Sequence, residues 1–359
     1  MGYDVIVVGS GIGGLTVAAL LSARGMNTCV LERQSQVGGC IARVEFSGYD
    51  FEPGMGLYTS FGAGGIYEKL FSALPVEPPE VSLITSPYVV RFTDGTDVPS
   101  SQEQPYSIAG GPASLAERLA EAIKRSGGSL RLNSPVLRLA FDESGAAVGV
   151  DLLSGERVFA RTIVSNLTIW DTYGKLVGLN RTPPEIKKRL NTLQGRGAYL
   201  VYATMEASAV ARLPSERMLV KDSAGEFTVA IASSQTAPEG KRAVTFQTET
   251  EVESWFTYQS SEEDYEEWDQ AALETFWTRL HAALPELGSD IEVIETANPR
   301  SYYDLTRRKL GMVLGTGEQS VGSATFLPNV FMVGDTVSSH ARVDSVIESA
   351  IGLANQLTI

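Results

Sequence analysis

The strongest constraint on the fold is a glycine pattern near the start of the chain. Residues 3–8, YDVIVV, form an apolar run of strand length, and glycines with the spacing G-x-G-x-x-G follow directly. The next segment, LTVAALLSARG, has helical character, and it leads to a second apolar strand, TCVLE. This order predicts a strand–helix–strand unit that opens an α/β domain.

The same unit predicts a dinucleotide site. Gly9, Gly11, Gly13 and Gly14 permit a tight turn and let backbone N–H groups at the helix N-terminus approach a pyrophosphate, where the positive end of the helix dipole favours an anion. Glu32 ends the second strand, where a carboxylate can accept hydrogen bonds from ribose hydroxyls and would repel a 2′-phosphate. The adenosine is therefore expected to lack the 2′-phosphate of NADP.

The next residues indicate which dinucleotide is bound. The stretch RQSQVGGCIARVEFSGYDFEPGMG, residues 33–56, resembles the FAD-dependent amine oxidase and phytoene desaturase superfamily, with Glu52 where that family usually has aspartate. The resemblance implies that FAD is the cofactor and that this stretch follows it from the phosphates to the flavin. The residues of this stretch implied in binding are Arg33, Gly38, Gly39, Arg43, Gly54, Met55 and Gly56.

Two later segments extend the resemblance. Residues 110–166 have a helical pattern, with Leu115, Leu119 and Ile123 at four-residue steps, followed by short strands with turn glycines. In the family this segment returns to the nucleotide domain, and the backbone at the position of Val136 meets the adenine. The C-terminal stretch ATFLPNVFMVGDT ends in Gly334 and Asp335, which the resemblance places at the ribityl or phosphate region of FAD.

The segment SHARV, residues 339–343, is the predicted catalytic segment. It stands where the carotenoid branch of the family has a glycine-rich turn leading into a helix that faces the flavin, and the backbone N–H near Val343 is expected to approach the ring. We predict that Arg342 stabilises negative charge on the reduced ring and that His340 donates or accepts a proton. The alternative is that His340 packs on the ring or bonds a carbonyl, while Asp344 caps the helix.

The predicted fold class is α/β, with a Rossmann-like FAD-binding domain assembled from residues 1–70, 105–168 and 297–359. A substrate domain, a mixed sheet with a covering helix, is predicted from residues 71–104 and 169–296. Its strands are expected at AYLVYATMEA, ERMLVKD, EFTVAIASS and AVTFQTETE. The helix is expected to begin after a cap at Ser260 or Ser261. Its aromatic stripe, which contains Tyr265, Trp268, Ala272, Phe276 and Leu280, fits a core face better than a polyene tunnel.

Charge and cysteine content exclude several function classes. The chain has 29 Lys and Arg against 43 Asp and Glu, a net charge of −14, which opposes binding to nucleic acid or anionic lipid. Cys29 and Cys40 predict neither a disulfide framework nor a metal site. No apolar run reaches the roughly 18 residues of a membrane span. We therefore expect a cytoplasmic protein without a transmembrane segment, and weak peripheral membrane contact stays open.

The predicted function is that of an FAD-dependent desaturase, cis–trans isomerase or saturase acting on a conjugated polyene or isoprenoid. The stretch TANPRSYYDLTRRKLGMVLGT, residues 296–316, resembles the carotenoid isomerase, phytoene desaturase and retinol saturase branch. The chain is shorter than full-length desaturases in the middle region, so the substrate could be a shorter or carrier-bound polyene, or a soluble molecule.

Two alternative functions are a flavin amine or amino-acid oxidase and a non-catalytic flavin-binding protein. The glycine cluster FGAGG at residues 61–65 has neither a preceding strand nor a suitably spaced acid, so a second site for NAD(P) is not predicted. Electrons are expected to leave to oxygen, a quinone or a separate reductase, or to return to the substrate.

Overall fold

A computed structural model describes residues 2–357 apart from residues 55, 101–104, 234–236, 258–261, 317–320 and 339. The strands in chain order are β1 (Tyr3–Val8), β2 (Thr28–Leu31), β3 (Val44–Phe46), β4 (Tyr49–Phe51), β5 (Val81–Leu83), β6 (Val89–Arg91), β7 (Asp97–Pro99), β8 (Tyr106–Ile108), β9 (Ser129–Arg131), β10 (Val136–Phe141), β11 (Ala147–Leu152), β12 (Arg157–Ser165), β13 (Gly197–Glu206), β14 (Arg217–Asp222), β15 (Gly225–Ile231), β16 (Lys241–Thr250), β17 (Ile291–Ala297) and β18 (Val330–Met332).

The α-helices in chain order are α1 (Ile12–Ala23), α2 (Ile66–Phe71), α3 (Ala113–Arg125), α4 (Ile169–Asp171), α5 (Pro184–Thr192), α6 (Ala207–Val210), α7 (Ser254–Thr257), α8 (Glu262–Ala283), α9 (Pro299–Thr306) and α10 (Val343–Gln356). A π-helical segment, Thr172–Gly178, continues α4. Short 3₁₀ turns cover Gly39–Ile41, Pro285–Leu287 and Lys309–Gly311.

The first sheet contains the predicted strand–helix–strand unit at its centre. Its strand order is β10-β11-β12-β1-β2-β9, and β18 pairs with β12. The pairs β12–β1, β1–β2, β2–β9 and β12–β18 are parallel, whereas β10–β11 and β11–β12 are antiparallel. The parallel part is the Rossmann-like domain that the glycine pattern predicted.

Both faces of the first sheet are covered, which explains why β1 is a continuous apolar run. Side chains alternate between the faces of a strand. Val5 and Val7 belong to a core cluster with α1, α3 and α10, while Ile6 and Val8 belong to a cluster on the other face. Residues of α4, the π-helical segment and α5 complete that second cluster, including the buried Trp170.

The sequence-based domain boundaries stay predictions, and two features cut across them. Residues 169–190, which the sequence predicts in the substrate domain, pack on the first sheet. Strand β5, from the same predicted domain, pairs with β8, which lies in the predicted FAD-binding domain. Both differences arise because local periodicity predicts a helix or a strand but does not predict the surface or strand against which that element packs.

The second sheet forms the rest of the molecule. Its strand order is β17-β13-β16-β15-β14-β6-β7, with β14 and β6 parallel and the other pairs antiparallel. Helix α8 covers one face, where Phe276 and Leu280 are buried against Val201 and Phe227, whereas Trp268 is 43% exposed. The predicted cap at Ser260 or Ser261 lies outside the described residues. The opposite face of strands β13 and β16 lies towards the Rossmann-like domain.

Among the described residues, no helix combines the length and apolar character needed to cross a membrane. Both Cys29 and Cys40 are free thiols. In the part of the chain that the structure describes, no group of three or more His, Cys, Asp or Glu side chains is arranged to hold a metal ion.

Candidate functional site

The glycine turn after β1 is shaped by a close approach of Asn166, which follows β12. A Cβ added at Gly11 would lie 2.5 Å from Nδ2 of Asn166, and one at Gly14 would lie 2.4 Å from the carbonyl oxygen of Gly9. Gly13 is similarly confined, because its Cβ would be 3.0 Å from Oδ1 of Asn166. A side chain at Gly14 would therefore clash with the backbone of the turn, whereas one at Gly11 or Gly13 would require Asn166 to move.

Glu32 lies directly after β2 and is buried, with a relative exposure of 9%. Its Oε2 accepts hydrogen bonds of 2.7 Å from the backbone N–H and the hydroxyl of Ser10. Its Oε1 accepts one of 2.7 Å from the N–H of Gln34. A carboxylate has about four acceptor sites, so these three bonds fix the orientation of Glu32 and leave capacity for a ribose hydroxyl.

A first cavity of about 280 Å³, here called the adenosine cavity, opens beside this turn. Its lining residues include Gly9, Ser10, Gly11, Glu32, Arg33, Gly39, Cys40, Pro135, Val136, Leu137, Asn166 and Arg308. Gly9 and Gly11 of the predicted turn, the predicted ribose acid Glu32 and the predicted adenine contact Val136 therefore converge on one concave surface, whereas Gly13 and Gly14 do not line it. Helix α1 begins at its edge, where the dipole favours a phosphate.

A second cavity of about 480 Å³, here called the flavin cavity, lies between the two domains. Its lining residues include Cys40, Ile41, Gly54, Gly56, Leu57, Tyr58, Arg196, Ala198, Gln247, Tyr302, Val313, Leu314, Asp335, His340, Arg342 and Val343. Strands β13 and β16 supply Ala198 and Gln247, so the second sheet forms one wall. Met55, predicted to contact the cofactor, lies outside the described residues.

The two cavities adjoin at Cys40, which lines both. Gly39 beside it has a φ of +57°, and a Cβ there would lie 3.5 Å from Cα of Gly11. The glycine-rich segments from two parts of the sequence therefore meet where the cavities join. Burial raises the pKa of the Cys40 thiol, which favours the neutral form.

Arg342 is held at the start of α10 by residues from the segment before α2. Its Nη2 donates to Oγ1 of Thr59 at 3.0 Å and lies 3.6 Å from Oδ2 of Asp344. Asp344 is buried and also accepts hydrogen bonds from Ser60 Oγ at 3.0 Å and from Tyr67 Oη at 2.5 Å. The alternative expectation that Asp344 caps α10 is corrected, because its carboxylate is committed to these side chains.

His340 lies at the mouth of the flavin cavity, and its residue is exposed to solvent. Its carbonyl oxygen accepts a 2.6 Å hydrogen bond from the hydroxyl of Ser338. The structure thus brings His340, Arg342 and Val343 to the same cavity as predicted, with Val343 as the first residue of α10. Their chemical roles stay predictions.

A buried cluster holds the wall that contains Gly54 and Gly56. Oε1 of Glu52 lies 3.4 Å from Nη2 of Arg217, and Tyr58 donates to Oε2 of Glu52 at 3.2 Å. Arg217 also donates through Nε to the carbonyl of Gly56 at 2.9 Å. Burial raises the pKa of Glu52, while Arg217 and the Tyr58 hydroxyl act to lower it. The cluster connects the Rossmann-like domain to strand β14 of the second sheet.

Several predicted cofactor residues do not line either cavity. Arg43 is 58% exposed at its side chain and pairs with Asp50 at 2.6 Å and Glu45 at 3.1 Å, so the structure does not bring its guanidinium to the cofactor site. The backbone N–H of Gly38 supports the turn by donating a 3.0 Å hydrogen bond to the carbonyl oxygen of Ser10. Gly334, with a φ of +125°, is confined by Asn166.

Sequence reasoning missed the residues that other elements contribute to the flavin cavity. Arg196, which precedes β13, Gln247 of β16 and Tyr302 of α9 line it, and Arg308 lines the adenosine cavity. No local motif marks these positions, because they reach the site only through the packing of elements that are distant in the sequence. For Tyr302, the one available sign was its place just after the Pro-Arg-Ser element that resembles the carotenoid branch.

The residues present fit FAD. Gly9, Gly11 and Gly39 border the adenosine cavity beside the N-terminus of α1, where the absence of side chains lets a phosphate approach the backbone. Glu32 can accept a further hydrogen bond in the same cavity. The adjoining flavin cavity is bordered by Gly54, Gly56 and the first residue of α10. An extended dinucleotide can therefore place its adenosine half in one cavity and its ring in the other.

Comparison with known families and proteins agrees with this geometry. A family model described as flavin containing amine oxidoreductase matches residues 92–358, and one described as NAD(P)-binding Rossmann-like domain matches residues 7–74. An oxidoreductase structure from Methanosarcina mazei has a TM-score of 0.74 at 15% identity, covering 98% of this chain and 99% of that chain. The structural likeness shows the shared fold.

Two curated relatives are a prolycopene isomerase and a carotenoid desaturase. The chloroplastic prolycopene isomerase of Daucus carota is 27% identical over 270 residues, which are 69% of this chain and 43% of that protein. The carotenoid 3,4-desaturase of Haloarcula japonica is 33% identical over 100 residues, covering 27% of this chain and 20% of that protein. The chain thus spans less than half the length of these relatives.

Proposed function

Because this chain belongs to the family of flavin containing amine oxidoreductases, whose cofactor is FAD, we propose that it acts on a conjugated polyene or isoprenoid. The reaction is a desaturation, a cis–trans isomerisation or a saturation of that substrate. The observation that carries the proposal is the 270-residue similarity to prolycopene isomerase.

The proposed cofactor contacts follow the two cavities. Gly9, Gly11 and Glu32 hold the adenosine diphosphate half, with Val136 at the adenine. Gly54, Gly56, Asp335 and Val343 surround the ring half. When bound, FAD supplies a two-electron acceptor or donor, and the protein supplies position and electrostatics.

Arg342 and the N-terminus of α10 set the electrostatics of the ring half. A helix N-terminus carries partial positive charge, and Arg342, which Thr59 holds in place and the Asp344 carboxylate 3.6 Å away offsets in part, adds to it. A fixed positive field favours negative charge that develops beside it during a reaction. We propose that His340, which lines the cavity and is exposed to solvent, carries a proton between the cavity and water.

The charge of the flavin cavity favours a polyene over an amine. Among the described lining residues, Asp335 is the one acidic side chain, and it is paired with Arg308. Arg196 and Arg342 line the same cavity, where Arg196 pairs with Glu249 at 3.1 Å and Arg342 lies 3.6 Å from Asp344, so the lining holds no unpaired carboxylate among its described residues to attract an ammonium group. Apolar side chains, including those of Ile41, Leu57, Val313 and Leu314, offer a desolvated surface for a hydrocarbon chain.

Anaerobic mixing of the FAD-loaded protein with polyenes and amines tests the proposal. A desaturase bleaches its oxidised flavin on mixing with a saturated isoprenoid segment. A saturase reoxidises a reduced flavin with a conjugated polyene, and an isomerase changes the isomer composition with reduced flavin and without net oxidation. Bleaching by amines, together with no spectral or chromatographic change for any polyene, would instead identify an amine oxidase.

We propose a small-molecule substrate, which the size of the flavin cavity, about 480 Å³, and the name of the prolycopene isomerase relative support. We propose that the protein has no nucleic-acid partner because of its acidic composition, and that it is cytoplasmic because both cysteines are free thiols. Weak peripheral contact with a membrane surface stays an open prediction, and flotation of the protein with neutral vesicles tests it.

A further inference from the structure

A buried arginine that the sequence motifs did not identify lies where the two cavities adjoin. Arg308 follows α9 and lines the adenosine cavity together with Ser10, Gly11 and Gly39. Its side chain is 15% exposed, and its Nη2 donates to Oδ2 of Asp335 at 2.5 Å. Since Asp335 lines the flavin cavity, this ion pair connects the two halves of the site.

The segment around Arg308 fixes the guanidinium in advance of ligand binding. Arg307 and Leu310, on either side, have φ values of +55° and +49°, in the left-handed region that non-glycine residues rarely adopt. The N–H of Lys309 donates to Oδ2 of Asp171 at 2.9 Å, and Nε of Arg308 donates to the carbonyl of Met312 at 2.5 Å. Strained backbone of this kind is retained where the surroundings hold it, often at functional sites.

Four cationic side chains are among the described residues that line the adenosine cavity, and one of them, Arg33, donates to the carbonyl oxygen of Leu305 at 2.7 Å. Lys175 pairs with Asp171 at 2.8 Å, and Arg307 pairs with Asp304 at 2.8 Å. Arg308 has Asp335 as its acidic partner, and within the described residues its Nη1 makes no hydrogen bond. Burial lowers the pKa of Arg308, but Asp335 raises it enough that the guanidinium stays charged.

We propose that Arg308 is the cation that binds the pyrophosphate of FAD. The inference rests on the proposed FAD site and adds a residue to it. The pyrophosphate must pass the point where the cavities adjoin, beside Gly11, Gly39 and the Arg308 guanidinium. A guanidinium presents paired donors that match phosphate oxygens, and here it also offsets the charge of Asp335, which would otherwise repel the phosphates.

A ligand series tests this role through affinity. Apoprotein is titrated with FAD by fluorescence quenching, and ADP and adenosine are measured as competitors. Arg308→Ala is expected to raise the Kd for FAD and ADP about tenfold or more, with adenosine affinity unchanged within about twofold. Arg308→Lys, which keeps the charge but loses the paired donors, is expected to have an intermediate effect.

Two controls separate binding from structure and from bulk charge. Arg161→Ala removes the same charge from a side chain that is 87% exposed, and it should leave all three affinities unchanged. In the Arg308→Ala variant, Asp335 loses its partner. The additional change Asp335→Asn removes that carboxylate, and the double variant should recover only part of the ADP affinity.

Equal weakening of adenosine and FAD, or unchanged FAD affinity in folded Arg308→Ala or Arg308→Lys, would overturn the pyrophosphate role. If the wild-type protein binds neither FAD nor ADP, the proposed FAD site itself is wrong, and the role of Arg308 is wrong with it.

Discussion

Glu32 and Glu52 show at the scale of single residues how position gives two carboxylates different roles. Glu32 accepts three hydrogen bonds of 2.7 Å from Ser10 and Gln34 and still borders the adenosine cavity. Glu52 is buried beside Arg217 and Tyr58 and holds a wall of the flavin cavity. The first residue was predictable from its spacing after the glycines, whereas the second depends on Arg217, 165 residues away.

Replacing Glu32 by glutamine is expected to raise the Kd for FAD about tenfold or more. The amide loses the negative charge and one acceptor, and hydrogen bonds to charged groups contribute about 1.5–3 kcal/mol each. Titration of apoprotein with FAD measures the effect. Glu45→Gln, at a side chain that is 50% exposed, serves as the matched control and should bind FAD as the wild type does. Equal Kd values for the two variants would remove Glu32 from the ribose site.

Glu52 is expected to make stability depend on pH. Burial raises its pKa above the ordinary value of 4.5, so the folded state favours the neutral carboxyl. The stabilisation from this preference is fully present below that value and is lost as the pH rises through the folded-state pKa. The free energy of unfolding of the wild type, relative to that of Glu52→Gln, should therefore fall as the pH rises from about 5 towards 8. Urea titrations at several pH values measure this difference in unfolding free energy. A difference that stays constant or increases with pH would show that the charge of Arg217, rather than burial, dominates the pKa of Glu52.

At the scale of elements, local pattern predicted most strands and the long helices. The four strands expected in the second domain correspond to β13–β16, and the face of α8 that contains Phe276 and Leu280 is buried as a core face. The docking of residues 169–190 on the first sheet was not predictable, because an apolar stripe gives no information about its partner surface. The same holds for Tyr302 and Arg308, which enter the site through α9 and the turn after it.

Gly11→Ala is expected to disrupt the turn between β1 and α1. The added Cβ would lie 2.5 Å from Nδ2 of Asn166, so the amide must move and FAD affinity should fall. Asn166→Ala makes room, and in that background the additional loss of stability from Gly11→Ala should be smaller by about 1 kcal/mol or more. Denaturant titration of the double-mutant cycle measures the coupling. Strict additivity would show that Asn166 is not the reason for glycine at position 11.

Gly352→Ala tests α10 independently of the site. A Cβ at Gly352, inside this helix, would have no heavy atom within 4 Å. Alanine in a helix interior is more stable than glycine by about 0.5–1 kcal/mol, so the variant should unfold at higher denaturant concentration with FAD affinity unchanged. A loss of stability would mean that α10 packs more tightly around position 352 than the structure indicates.

At the scale of the whole molecule, the site is a product of two domains. The glycine turn, Glu32 and α10 come from the first domain, and Ala198 and Gln247 from the second sheet close the flavin cavity. Sequence motifs identified the glycine-lined part of the site because those residues are close together in the sequence. The wall that the second sheet contributes uses ordinary side chains on paired strands, so only the assembled fold identifies it.

The flavin content of the purified protein after incubation with excess FAD and desalting tests the central claim most directly. Heat or acid release, followed by chromatography of the supernatant, gives the identity and stoichiometry of the bound nucleotide. The two adjoining cavities predict one non-covalent FAD per chain. A protein that retains no flavin under these conditions, or that retains NAD(P) in preference to FAD, would contradict the account.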